Sequence, residues 1–120
     1  MNIEELREYC INIKGCTESL PFLDKSILVF KVMDKMFAYI TLEPKDGIFR
    51  VLMKCDPDKS VELRERYKGI VETDFKTLLW NSVTLDGDVP DRMIKELLLH
   101  SVDEVIKKLP KKKREEYKEK

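Results

Sequence analysis

The chain's only histidine, His100, stands four residues after Glu96 in a run with helical periodicity. That spacing puts imidazole and carboxylate on one helix face, where they could supply two metal ligands or an acid–base pair. No matching pair on another segment completes a metal site, and without a second His a Ser–His–acid triad has no identifiable members. A structural or solvent-facing role is therefore expected for His100. Cys10, Cys16 and Cys55 are odd in number and contain no C-x-x-C pair, which argues against a disulfide scaffold or a zinc ribbon and for reduced thiols. Gly15, Gly47, Gly69 and Gly87 are isolated, so neither G-x-G-x-x-G nor a Walker loop is present. Glu4, Glu5 and Glu8 form an acidic patch that reads as a hydrated helix surface whose charge suits the helix dipole. No catalytic residue, metal site or cofactor is expected, and an enzyme is not the leading reading.

Positive charge is the stronger chemical signal. Lys and Arg number 23, as do Asp and Glu, yet the distribution is uneven. Residues 107–120, "KKLPKKKREEYKEK", hold eight Lys or Arg against three Glu, a local balance of +5, leaving −5 on residues 1–106. Lys107, Lys108, Lys111, Lys112, Lys113 and Arg114 could neutralise several phosphates, giving salt-dependent binding without base selectivity. The competing reading is a solvated tail diluted by Glu115, Glu116 and Glu119. Arg64, Arg66 and Lys68 would enlarge a basic surface only if folding brought them near the C-terminus.

The run "FKTLLWNSVTLDGD" contains the single Trp, Trp80. Neither parity of "WNSVTLD" is purely apolar, so Trp80 reads as a packed residue at the start or edge of a strand. Alternatively it belongs to an exposed surface with Phe75, Leu78 and Leu79 that anchors a protein partner, joins a homodimer or stacks a base.

These groups need a scaffold, and the chain's periodicities supply one. Ile3, Leu6, Cys10 and Ile13 recur at helical steps, and Asn2 with Glu5 has capping-box spacing, predicting a helix from Ile3 to about Lys14 ended by Gly15. Cys10 takes a small buried position in that stripe. Residues 16–26 read as a loop. Ile27–Met33 and Met36–Leu42 read as antiparallel strands turning at Asp34–Lys35, and "IFRVLMKC" as a third strand. Asp56 and Pro57 then cap and start a second helix that ends by Gly69. "IVETD" is a brief strand, "WNSVTLD" a further strand, and Pro90 to about Leu109 a long amphipathic helix stopped by Pro110. The order predicts an α+β fold in which helices cover an antiparallel sheet.

At 120 residues the chain suits one domain, read as residues 1–109 with a basic C-terminal tail over 110–120. Hydrophobic residues make up 42%, enough for a core, and no apolar run reaches the roughly 18 residues that would span a bilayer. A cytoplasmic location without membrane contact is expected.

The segments "CTESLPF", "LVFKV", "KMFAYITLE", "KCDPDKSVELRERYKGI", "WNSVTLDGDVPD" and "LLLHSVDEVIKKLPKKKR" together resemble the MmcQ/YjbR family over nearly the whole chain. The resemblance implies a CyaY-like fold, related in architecture to frataxin, and DNA binding, the label such proteins commonly carry. Relatives often approach the Trp through a segment similar to "N-K-K-H-W-N". Here Lys76 is retained while Leu78 and Leu79 replace polar residues, removing phosphate donors. The family's "H-S-Y" segment stands here as His100, Ser101 and Val102. Fold alone does not carry iron binding onto Glu4, Glu5 and Glu8.

Overall fold

Local signals set the first helix. In the computed structural model, which describes residues 1–20 and 26–120, α1 spans Ile3–Ile11. Asn2 accepts the Glu5 amide at 2.8 Å and Glu5 accepts the Asn2 amide at 3.2 Å, so the capping box forms as expected. The helix ends about one turn before Lys14, and Gly15, at φ +73°, turns the chain into β1 (Cys16–Ser19). A loop was expected over 16–26. Its first part is instead an edge strand whose residues pair with those of β2 (Ile27–Val32), from Cys16 opposite Val32 to Ser19 opposite Val29. Residues 21–25 of that expected loop lie outside the described residues.

The sheet continues through β3 (Lys35–Thr41), β4 (Arg50–Lys54), β5 (Ile70–Glu72) and β6 (Trp80–Thr84), in the antiparallel order β1-β2-β3-β4-β6-β5. Val32 pairs with Lys35, so the hairpin turns on Met33 and Asp34, one residue earlier than expected. Both sit at positive φ, 49° and 63°, the arrangement whose twist suits a two-residue hairpin. Register therefore prevails over Met33's weak preference for that conformation. A bulge between the Phe30 and Lys31 pairings leaves Phe37 as an extra residue on β3, and Phe37 and Ala38 are both fully buried.

α2 spans Pro57–Arg66, with Asp56 accepting the amides of Asp58 and Lys59 and Pro57 in the first turn, as its sequence dictates. α3 (Asp91–Lys107) presents Ile94, Leu97, Leu98 and Val102 to the core, where they join Leu6 and Cys10 of α1 against Phe30, Ile40, Val51 and Val83 of the sheet. The structure is thus an α+β fold with an antiparallel sheet packed against helices. The segment expected as a basic tail carries a further helix, α4 (Lys111–Lys118). Tyr117 ties it down by donating its hydroxyl to Lys14 O at 2.8 Å, while the Lys14 ammonium lies 4.8 Å from the ring centroid. Among the described residues, no helix is long and apolar enough to cross a membrane.

Strand directions give the molecule two unlike ends. The β2–β3 turn, Lys35, Lys54, Trp80 and the start of β1 share one end, and α3 runs its last turn toward it. The β3–β4 loop, the β6–α3 turn with Asp86 and Asp88, and the start of α1 share the other.

Candidate nucleic-acid interface

The six cations singled out in the sequence lie on the elbow between α3 and α4. Lys107 and Lys108 close α3, while Lys111, Lys112, Lys113 and Arg114 open α4. Pro110 provides no side-chain cap, and α4's first turn contains no acidic residue. Four cations therefore crowd the end of a helix where the backbone dipole is already positive, an arrangement unfavourable within the molecule and suited to an external anion. Two members of the set are internally paired. Lys107 Nζ lies 2.6 Å from the buried carboxylate of Glu104, and Lys113 Nζ lies 3.8 Å from Glu116. The first contact holds Lys107 above the ordinary lysine range.

Folding adds cations that sequence spacing did not identify. Lys54 is partly buried where β4 ends, and burial first, then the charge of Lys108, lowers its pKa, with Glu104 opposing and Lys35 adding. Lys35 opens β3, Lys54 closes β4 and Lys108 caps α3, and only strand register and the packing of α3 on β4 bring them together. The α2 cations do not join them. Arg64 is committed to internal hydrogen bonds, Arg66 lies over the Tyr67 ring with its guanidinium carbon 5.3 Å from the centroid, and Lys68 sits at the opposite end of the sheet.

Beside the lysines is a loop with fixed backbone and exposed apolar side chains. Arg64 donates to Thr77 O at 2.7 Å and Trp80 O at 3.1 Å, Ser60 Oγ to Leu78 O at 2.6 Å, and the Cys55 amide to Leu79 O at 2.8 Å. Four consecutive carbonyls are thereby satisfied. Buried Asn81 completes the network, accepting from Arg64 Nε at 2.8 Å and donating to Ser60 at 3.0 Å. With its backbone turned inward, this segment leaves Leu78 41% and Leu79 40% exposed, and Phe75 is 75% exposed.

Trp80 is half-buried on the sheet face away from the helices, directly across from Lys54. Its ring packs at 48° to that of Tyr39, with centroids 5.9 Å apart. Next to the pair lies an open trough of about 590 Å³, floored by Tyr39, Leu52 and Ser82 and edged by Arg50, Glu72 and Asp74. Burial, then the charge of Asp74, raises the Tyr39 pKa.

The other chemical candidates are engaged within the fold. His100 Nε2 accepts the Asp56 amide at 3.1 Å at the start of α2, and burial lowers its pKa. Glu96 lies 4.0 Å from Arg92 instead. The crevice lined by His100, Cys55 and Asn81 has no room for a water-sized molecule. Cys10 is fully buried with its thiol pKa pushed far up by burial, and burial pushes the Cys16 thiol up to about 11. Among the described residues, no group of three His, Cys, Asp or Glu side chains is placed to hold a metal ion.

Comparison with known proteins agrees on the fold. The uncharacterized protein YjbR of Escherichia coli K12 is 29% identical over 115 residues, 95% of each chain, as is its counterpart from strain O157:H7. The crystal structure of Deinococcus radiodurans protein DR2400, which carries a DUF419 domain, superposes with a TM-score of 0.84 at 34% identity, covering 97% of this chain and 87% of that one. A Pseudomonas syringae protein superposes with a TM-score of 0.72 at 20% identity, covering 84% of this chain and 96% of that one. The YjbR family model matches residues 11–103, the stretch from the end of α1 through most of α3, and the chain belongs to the YjbR family.

Proposed function

We propose that this protein is a non-enzymatic, cytoplasmic nucleic-acid-binding domain that holds the phosphate backbone of DNA through the α3–α4 elbow. The reading takes the architecture as CyaY-like and draws no iron chemistry from it, since a shared fold does not transfer function. The observation that carries it is the uncapped first turn of α4, where Lys111, Lys112, Lys113 and Arg114 meet the positive end of the helix without an acidic neighbour in that turn. Phosphates would relieve this repulsion, and Lys108 extends the contact line toward Lys54.

The test is fluorescence anisotropy of labelled DNA across a salt series, using the full chain and a variant with all four first-turn cations changed to Ala. Wild-type binding should weaken steeply with salt, and removing each cation that meets a phosphate should flatten the slope of log K against log salt by about 0.9. Binding that is unaffected by the four substitutions would remove α4 from the mechanism.

A second reading draws on the exposed Phe75, Leu78 and Leu79, which suit a protein partner or a second copy of the chain. Sedimentation showing a concentration-dependent dimer, abolished in Leu78→Ser/Leu79→Ser, would favour it.

A further inference from the structure

The open face of the sheet brings together two kinds of chemistry that the α3–α4 elbow alone does not. Trp80 and Tyr39 form an aromatic pair there, with centroids 5.9 Å apart, and Lys54 stands directly across from Trp80 on the neighbouring strand. Residues directly opposite on neighbouring strands project from the same face, so Lys54 and the aromatic pair are presented on one side of the sheet. Lys35 and Lys108 lie close enough to Lys54 to oppose its charge, joining the sheet face to the elbow. The trough beside Tyr39 is lined by both signs of charge, Lys45 and Arg50 with Asp46, Glu72 and Asp74, and Arg50 is already paired with Asp46. A base placed there meets an aromatic ring and polar groups of both kinds, among them the Asp74 carboxylate, able to accept from its amino group.

We infer that the Tyr39–Trp80 face is a binding surface for single-stranded nucleic acid, with bases on the aromatic side and trough and phosphates along Lys54, Lys35 and Lys108. This rests on the phosphate-binding reading above and adds the form of nucleic acid. A duplex hides its base faces and can offer this surface only phosphates, whereas a single strand offers both groups. Phe75, 75% exposed, offers a further ring on the loop between β5 and β6.

The experiment exploits Trp80 as the only tryptophan, so its emission reports one position. The full chain is titrated with a single-stranded oligonucleotide of about 12 nucleotides and with the matching duplex, reading label anisotropy and Trp80 fluorescence together. Tighter binding of the single strand, with Trp80 emission quenched along the same curve, is expected. Trp80→Leu and Tyr39→Leu should each weaken single-strand binding about tenfold or more while changing duplex binding little. Phe75→Ala, at a site too exposed to carry the fold, should weaken the single strand in the same direction. Equal affinity for both forms with unquenched Trp80 would overturn the inference and leave the elbow reading standing. Failure of either form to bind at low salt would overturn both. Loss of self-association in Phe75→Ala, with single-strand binding unchanged, would assign the surface to a second copy of the chain.

Discussion

His100 shows how a residue that could do chemistry becomes part of the fold. Its Nε2 accepts the Asp56 amide, so the folded state needs that nitrogen unprotonated. Burial lowers its pKa below the ordinary 6.5, with Glu104 opposing and Lys59 adding to the depression. The unfolded chain therefore takes up the proton first as pH falls. The stability this residue contributes is complete above about pH 6.5 and is lost as pH falls through the lower, folded value. Urea midpoints measured across that window should fall more steeply for wild type than for His100→Gln, whose amide oxygen accepts the same bond without titrating. Parallel profiles would show that His100 is not the group responsible. The sequence reading was a structural or solvent-facing role, because His100 lacked a complementary ligand set, but its hydrogen-bond partner Asp56 is 44 residues away and no spacing rule reaches that far.

Arg64 follows the same logic with larger consequences. Its guanidinium joins buried Asn81 to the carbonyls of Thr77 and Trp80. Arg64→Ala should destabilise the fold by roughly 2 kcal/mol by leaving these acceptors unpaired, and Arg64→Lys should recover only part of the loss because an ammonium lacks the forked geometry. Chemical denaturation of the three proteins decides it. A loss below a few tenths would mean that water replaces the guanidinium at no cost. From sequence, Arg64 read only as a cation that could enlarge a basic surface with Arg66 and Lys68, because its role depends on the β6 register.

Elements were legible where their signals were local. The Asn2–Glu5 box and the Asp56–Pro57 start formed as spelled, since each is satisfied within one turn of chain. β1 was not legible: "CTES" has no apolar alternation and is held by pairing with β2. Helix α4 was hidden for a related reason, having no buried residue and no apolar stripe. An isolated helix of eight residues is unstable in water, and repulsion in the α4 first turn makes this one worse. Its docking runs through Tyr117, which contacts Lys14 and lies where a Cβ on Gly15 would approach its ring to 3.2 Å. Tyr117→Ala should raise hydrogen exchange across 111–118 toward the unprotected rate while leaving α3 amides protected. Gly15→Ala should act in the same direction, since the added methyl strains a φ of +73° and crowds Tyr117. Retained protection of 111–118 in both variants would mean that Tyr117 is not what holds the helix.

At the scale of the molecule, a formal charge of zero conceals a polar arrangement. Strand directions and the run of α3 collect Lys35, Lys54, Lys107, Lys108 and the start of α4 at one end, with Asp86, Asp88 and the start of α1 at the other. The segregation was visible in the sequence as +5 on the last fourteen residues, but the convergence of Lys35 and Lys54 on it was not, because both depend on which strands pair. If position governs binding, two substitutions with equal effect on net charge must differ by location. Lys111→Ala/Lys112→Ala, at the basic end, should flatten the slope of log K against log salt for DNA by about 1.8. Lys68→Ala/Arg92→Ala removes the same charge from the opposite end, where Lys68 precedes β5 and Arg92 opens α3, and should leave affinity within about twofold. Equal losses in the two variants would reduce the attraction to net charge alone. A difference confined to the first pair would locate it at the end that Trp80, Lys54 and α4 share, because a five-residue strand spans roughly 16 Å, beyond the screening length of about 10 Å at 0.1 M salt.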